Sequence, residues 1–585
     1  MTERPQKPVA LTYLDLYLIT MSVSEPEKAM TGNEKAGETN SMIIPLRFLA
    51  VAEKFADIPA VGMAGSDATV SYRELAANVR KTAEWLGQLK PLQPIGLLSE
   101  NRPEWCKLYL GILAAGGLVV PIDPLLKKDE LKRVFTDAHI TKLIASPRYL
   151  EISEQAIAEI ENGPELVNLE SIPTADIGDN PVEQNPATDP DSPAVIIFTS
   201  GTTGRSKKVI LTHHNILSDI DGVFEFLNFT AGDRFLSVLP LHHTFEATCG
   251  MILPLMNGMT VYYVRELNSR EIMNGLKKHK INYFISVPLL YEKLYHGIIN
   301  GVKKAPPLKR AMFKTLCAMT KGMYAATKVN IGNKLFASFR KKAGMDSIKM
   351  LVSGGAPLPA EISRNFSLMG FCFIEGYGLT ESSPILTVNP YQKIKFGSVG
   401  IPMSNVEIKI DNPNEKGVGE ILAKGPMITP GYQDNPEETA KLLKDGWLYT
   451  GDLGRLDEEG YLFIMGRKKS LIVSAAGKNI YPEEIEAELL RSPYIFESLV
   501  FGKMGETGRE EVSAVIFPDF EMLASQLNKE AENITDGEIK AVLGPEIKEI
   551  CGRMADYKRI KNIEYIRHEF EKTSTKKIKR HLYQK

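Results

Sequence analysis

Regular patterning of apolar and polar positions begins at Met42. Ser71 to Leu86 (SYRELAANVRKTAEWL) carries apolar residues at helical spacing behind a serine cap, which predicts a helix. Ile95 to Leu98 is an apolar run of strand length. In Glu104 to Ala115, Trp105, Leu108, Tyr109, Ile112 and Leu113 share one helical stripe, which Gly116 and Gly117 end before a second run at Leu118 to Ile122. A strand, a helix and a strand in that order predict a parallel pair. The turn lacks a Gly-x-Gly-x-x-Gly pattern, which argues against dinucleotide binding there. Further strands are predicted at Val195 to Phe198, Phe235 to Leu239, Val261 to Val264, Tyr283 to Val287 and Met350 to Ser353, with helical patterns between them. This alternation predicts an α/β fold of two α/β layers that binds ligands at the carboxyl ends of its strands. Beyond Gly397 short alternating runs such as Val406 to Ile410 and Gly419 to Ala423 predict a small β-rich subdomain. A boundary is expected near Gly466-Arg467-Lys468-Lys469, followed by a compact α+β tail whose helix from Pro482 to Leu490 starts on proline. The expected units are a flexible extension over 1–41, a large domain over 42–466 and a small domain over 467–585.

Length and composition agree with several units. At roughly 150 residues per domain, 585 residues make three or four. Hydrophobic residues at 43% and charged residues at 24% give ample material for cores, and a net charge of −2 excludes a strong general attraction to nucleic acid. Cys106, Cys249, Cys317, Cys372 and Cys551 are scattered without a Cys-x-x-Cys, so neither a disulfide framework nor a zinc site is expected, and a reducing cytoplasm fits best. Val9 to Val23 is apolar like a signal peptide, but Asp15 interrupts it, no small-x-small cleavage site follows, and it is too short to span a bilayer. Met30 and Met42 are alternative starts that the mass of the native protein would distinguish. Gly301 to Met345 has many Lys and Arg residues and no Asp or Glu. That stretch is either a solvated basic face or a contact for an anionic membrane or for phosphates.

The densest chemistry lies in Val195 to Asn215, VIIFTSGTTGRSKKVILTHHN. Gly201 and Gly204 let the backbone approach an anion, Thr199, Ser200, Thr202 and Thr203 add donors, and Lys207 and Lys208 add positive charge. A Walker-type loop needs glycine where Ser206 stands. TSGTTGRSKKV resembles instead the signature of adenylate-forming (AMP-binding) enzymes, the family of acyl-CoA synthetases, peptide-synthetase adenylation domains and firefly-type luciferases. In that family the loop holds the β- and γ-phosphates of ATP.

Other stretches follow in the family's order. The resemblance makes Gly355-Ala356-Pro357 of SGGAPLP the lining of an adenine pocket and Tyr377 of GYGLTES the aromatic residue on the adenine. It makes Thr380 an α-phosphate contact and Glu381 the Mg²⁺ holder, with Thr199 a further metal candidate. Asp452 of DGWLYTGD matches the ribose-binding carboxylate, which can accept from both hydroxyls. Arg467 matches a second ribose or phosphate contact, and Lys469 matches the hinge on which a mobile tail rotates. His243 of LPLHHTFE matches a histidine beside the acyl carboxylate. Lys577 of EKTSTKKIKR matches the lysine that bridges carboxylate and α-phosphate, although Lys576 precedes it where the family has glycine. Ala476 likewise replaces one of two glycines in the loop lining the pantetheine tunnel, leaving Gly477.

The resemblance covers about 42–585 and implies a ligase that joins a carboxylic acid to AMP from MgATP and then to CoA. Its small-molecule partners are an acid, ATP and CoA. A long-chain fatty acid is expected from the insertion at 301–345 and from Ala247 and Gly250, small residues that leave room for a tunnel. Loading of an acyl carrier protein in place of CoA, action on another carboxylic acid, a binding protein without catalysis, peripheral contact with the inner membrane face and pairing with a second copy are the alternatives.

Overall fold

The strands form where β-branched and aromatic runs meet glycine or proline, and they assemble into two large sheets. The computed structural model describes residues 41–175, 189–199, 206–227, 229–327, 329–473, 478–505, 510–573 and 577–584. All but the last residue of the predicted extension, including Val9 to Val23, lies outside them.

One sheet has nine strands, with Pro59–Met63, Thr260–Tyr263, Arg234–Ser237, Tyr283–Ser286, Met350–Ser353 and Phe373–Tyr377 running parallel through its centre. The other has seven, with parallel strands Glu165–Asn168, Lys142–Ala145, Pro94–Leu98, Leu118–Pro121 and Pro193–Thr199. Pro94–Leu98 and Leu118–Pro121 are joined through the helix Pro103–Ala114, the predicted strand-helix-strand unit. The strand after the glycine-rich stretch, Lys207–Thr212, returns antiparallel on Pro193–Thr199, so that stretch joins two strands instead of a strand and a helix. Gly431–Tyr432 then adds to the same edge.

The helix Tyr72–Leu86 begins as its sequence predicts. Ser71 Oγ accepts from the Glu74 amide while Glu74 Oε2 accepts from the Ser71 amide, so two otherwise orphaned donors are satisfied. These bonds hold the Glu74 carboxyl below its ordinary range. Ser71→Ala is expected to cost about 1 kcal/mol, read as a lower denaturant midpoint with an unchanged slope.

Two predicted strands stop before proline, earlier than their apolar runs. Val238 and Leu239 leave the sheet for the turn at Pro240, and Val287 precedes Pro288, the first residue of the helix Pro288–Lys303. Trp105 and Tyr109, stacked 5.4 Å apart, lie in the largest core, which draws on both sheets. Burial of each such side chain contributes roughly 1.5–3 kcal/mol.

Glu407–Asp411, Gly419–Lys424, Trp447–Leu456 and Leu462–Arg467 form an antiparallel sheet in the region read as β-rich. Further on, Ile495–Met504, Glu510–Pro518 and Asn562–Tyr565 make a three-stranded sheet. It packs with Pro482–Leu489 and Asp536–Gly552 around a separate core that includes Ile485, Val500 and Leu543. Among the described residues no helix is long and apolar enough to cross a membrane.

Candidate functional site

Asp452 and Arg467 are direct neighbours on adjacent antiparallel strands, a register fixed by the turn between Leu456 and Leu462. Arg467 Nε lies 2.7 Å from Asp452 Oδ1, and the Tyr377 hydroxyl donates to Asp452 Oδ2 at 2.7 Å. Burial raises the Asp452 carboxyl above its ordinary range, opposed by the positive charge of Arg467 and the Tyr377 hydroxyl. Burial also raises the Tyr377 hydroxyl, assisted by the negative charge of Asp452. A carboxylate has about four acceptor positions, so Asp452 keeps capacity for a further pair of donors.

Thr380 and Glu381 sit on a single 3-10 turn, Thr380–Ser382, after the strand Phe373–Tyr377. Ser382 Oγ accepts from the Leu379 amide and lies 3.0 Å from the flanking Leu379 and Pro384 carbonyls, to which its one proton is donated, which fixes the turn. Glu381 Oε1 accepts from the Tyr432 hydroxyl at 2.7 Å, and the Glu381 carbonyl accepts from the Thr429 amide at 2.9 Å. Lys207 Nζ lies 4.6 Å from the centre of the Tyr432 ring and 2.7 Å from Glu438 Oε2. Lys207, then Lys441, holds the Glu438 carboxyl down to about 2. Lys208 is 2.6 Å from Asp434. Lys207 and Lys208, expected to add positive charge to a cradle, are each paired with a carboxylate from the segment after Tyr432. Thr199 ends its strand beside Lys207, while Ser200, Gly201, Thr202, Thr203 and Gly204 lie outside the described residues, as do Ala476, Gly477 and Lys576.

Gly355, Ala356 and Pro357 follow the strand Met350–Ser353 and are exposed. Gly355 has φ +82°, a left-handed conformation that suits glycine, and this turns the backbone outward. His243 lies on a segment clamped by Asn101, whose Nδ2 donates to the Leu239 carbonyl and whose Oδ1 accepts from the Leu241 amide. The His242 and His243 rings are 4.1 Å apart, and His242 Nε2 is 3.6 Å from Asp123 Oδ2. Burial first, then the charges of His242 and Lys577, push His243 well below its ordinary range, so its imidazole is neutral at pH 7.

Lys577 closes the group. Lys577 is anchored by the neighbouring Lys572–Ile578 bridge, by Thr573, which bonds Lys577 through both backbone and Oγ1, and by the ion pair of half-buried Lys572 with Glu497 at 2.5 Å. Surrounding protein lowers the Lys577 pKa, and Arg467 lowers it further, while Asp452 and Glu381 raise it. The side chain keeps an exposed surface, as in an open cleft, and water there blunts the downward push. Lys577, Arg467, Asp452, Glu381 and His243, widely separated in sequence, thus share one electrostatic neighbourhood. Lys469 lies on the 3-10 turn Lys468–Ser470, where Lys468 Nζ is 2.6 Å from Glu420 Oε2.

Sequence reasoning passed over Tyr432, Asp123, Asn101 and Glu246. Only Glu246 carried a readable signal, an acid inside an otherwise apolar stretch. It sits on a π-helical segment, Phe245–Ile252, and among the described residues neither carboxyl oxygen has a hydrogen-bond partner of normal geometry. Ser237 Oγ and the Val238 and Leu239 amides are near enough only to soften the effect of burial, which pushes Glu246 up to about 8. Its side chain also fills the space beside Gly250, where an added Cβ would come 2.5 Å from Glu246 Oε1. The room for a tunnel expected at Gly250 is therefore occupied.

The folded protein keeps Glu246 protonated up to about pH 8, whereas the unfolded chain releases that proton near 4.5. Between those values the unfolded state binds fewer protons, so this group lowers stability as pH rises. Glu246→Gln removes that slope. The midpoint of thermal unfolding of the variant minus that of the wild type should grow from pH 5 to pH 8, and calorimetry at the two pH values checks it.

With this geometry in hand, the chain belongs to the AMP-binding enzyme family, which it matches over residues 48–433. It is an adenylate-forming ligase. Among similar curated proteins, it is 29% identical to a long-chain-fatty-acid–CoA ligase of Bacillus subtilis (strain 168) over 80% of this chain and 83% of the relative. It is 27% identical to a feruloyl-CoA synthase of an Amycolatopsis species over 77% of this chain and 84% of the relative. The crystal structure of ATP-bound MatB from Rhodopseudomonas palustris has the same fold, with a TM-score of 0.73, 24% identity and coverage of 92% of this chain and 98% of that one.

Proposed function

We propose that the protein activates a long-chain fatty acid in two steps. The acid's carboxylate attacks the α-phosphorus of ATP, forming acyl-AMP and releasing pyrophosphate, and the thiolate of CoA then attacks the acyl carbon, forming acyl-CoA and releasing AMP. The carrying observation is the gathering of Lys577, Arg467, Asp452, Glu381 and His243. Joining two anions needs cations and oriented donors at one point, and this group supplies them.

The residues fit MgATP. Asp452 retains acceptor capacity for ribose hydroxyls, and the exposed backbone of Gly355-Ala356-Pro357 offers a surface for the base, with Tyr377 beside it. Among the described residues no group of three or more His, Cys, Asp or Glu comes together to hold a metal ion. Mg²⁺ carried on phosphates needs only one or two carboxylates, which suits Glu381. When bound, Mg²⁺ supplies charge neutralisation at the phosphates. Lys577 supplies a cation to both reacting anions, and neutral His243 offers a ring N–H to the acyl carboxylate. Lys469 is the pivot that removes Lys577 before the thiol step.

The fatty-acid ligase relative and the basic insertion at 301–345 support a long chain. The filled space beside Gly250 and the feruloyl-CoA synthase relative favour a second reading, a shorter or aromatic acid. Exchange of labelled pyrophosphate into ATP, measured over straight-chain acids of rising length and ferulate, decides between them. The expected maximum is at long chains, and activity confined to ferulate or acetate overturns the assignment. Offering CoA and acyl carrier protein in parallel identifies the acceptor.

A further inference from the structure

The helix His213–Phe226 continues directly from the strand Lys207–Thr212, and its first turn is locked to that strand. Thr212 Oγ1 accepts from the Asn215 amide and Asn215 Oδ1 accepts from the Thr212 amide, both at 3.0 Å. Asn215 and Asp219, four residues apart and so on one side of the helix, are 6% and 0% exposed. Each reaches a segment that bonds or follows Glu381. Asn215 Nδ2 donates to the Pro426 and Ile428 carbonyls at 2.7 and 2.9 Å, immediately before Thr429, whose amide bonds the Glu381 carbonyl. Asp219 Oδ1 accepts from the Ile385 amide at 2.9 Å, just beyond the turn Thr380–Ser382. The two segments are tied to each other by Ser383 Oγ, which donates to the Met427 carbonyl at 2.9 Å. Asn215 thereby uses both side-chain N–H donors and its oxygen, and among the described residues Asp219 Oδ2 has no hydrogen-bond partner.

We propose that Asn215 and Asp219 are positioning residues that hold Glu381 at a fixed separation from the strand carrying Lys207. Both side chains are buried and act through backbone groups on either side of the carboxylate. A metal-holding carboxylate must stand at a set distance from the phosphates it serves, and groups that orient such a ligand tune metal affinity without contacting the metal. An apolar pair at 215 and 219 would fill the same space but would lose the bonds to Pro426, Ile428 and Ile385. Burial raises the Asp219 carboxyl well above its ordinary range, opposed by the Ile385 amide, which favours the neutral acid. Asparagine at 219 reproduces that form, whereas aspartate at 215 would turn two donors into acceptors facing carbonyls. The inference rests on the reading of Glu381 as the Mg²⁺ holder and adds what keeps it in place.

Titration calorimetry of the full-length protein with ATP, once with Mg²⁺ and once with excess chelator, and with no acid present, tests it. The wild type and Asp219→Asn should both bind ATP more tightly with Mg²⁺ than without. Asp219→Ala, Asn215→Asp and Ser383→Ala should bind metal-free ATP as the wild type does, but the gain from Mg²⁺ should shrink roughly tenfold. The Mg²⁺ concentration for half-maximal pyrophosphate exchange should rise in step. Ser383→Ala removes a single oxygen and decides the matter if either larger change prevents folding. A role confined to stability would lower the unfolding midpoint and leave the ratio of the two affinities unchanged, which overturns the proposal. Equal loss of the gain in Asp219→Asn and Asp219→Ala also overturns it, since the neutral mimic should hold the Ile385 amide. Glu381→Ala is the reference. If it abolishes the gain while the positioning variants keep theirs, the positioning role alone is overturned; if it too keeps the gain, the reading of Glu381 fails and the inference with it.

Discussion

Lys577→Ala lowers acyl-adenylate formation by roughly 10²-fold or more, the scale of losing a principal electrostatic stabiliser. The basis for the number is the electrostatic coupling of Lys577 with Asp452, Glu381, Arg467 and His243. Arg467 remains in the variant but is held 2.7 Å from Asp452, so it cannot replace a cation that addresses two substrate anions at once. Release of pyrophosphate in a single turnover reports the first step. Thioester formation from preformed acyl-AMP and CoA should change far less if, as proposed, Lys577 is withdrawn before the thiol attacks. Lys576→Ala is the control, and if it abolished adenylation while Lys577→Ala did not, the roles would belong to the other lysine.

Gly378→Ala is expected to damage folding and catalysis together. A Cβ on Gly378 would lie 1.7 Å from the Pro384 carbonyl oxygen, which also accepts the Ser382 hydroxyl. Both sides of that clash are backbone, so neither can rotate away, and overpacking of this severity costs roughly 3 kcal/mol or more. Relief requires Pro384 to move, which removes a bond holding the Thr380–Ser382 turn. A displacement of about 1 Å at Glu381 reduces turnover on the order of 10²-fold. Chemical denaturation and pyrophosphate exchange should therefore both fall. Loss of neither would mean that the loop has slack.

Local pattern carried the fold well because parallel α/β units are written in contiguous runs. Ser71 and Glu74 sit three apart and cap the same helix, and the stripe from Trp105 to Leu113 marks another, which is buried at every position from Trp105 to Ala114. The candidate site was legible differently, through short stretches whose meaning came from resemblance, since nothing in periodicity distinguishes Asp452 from an ordinary turn aspartate. Pairings across long sequence distances left no local mark. Lys207 meets Glu438 and Glu381 meets Tyr432 only because Gly431–Tyr432 joins the edge of the sheet that contains Lys207. Glu246 was in view within LPLHHTFE, but a π-helical turn that folds its carboxyl onto Gly250 follows from tertiary packing, which no spacing rule predicts.

The Lys572–Ile578 bridge and the Lys572–Glu497 ion pair tether the segment bearing Lys577 to the strand Ile495–Met504. On the proposed mechanism Lys577 therefore moves together with that strand. In the proposed two-step mechanism, withdrawal of the ammonium group would coincide with displacement of the three-stranded sheet as a whole, and the changeover between half-reactions is expected to be all-or-none. Solvent viscosity should slow that changeover more than it slows bond formation.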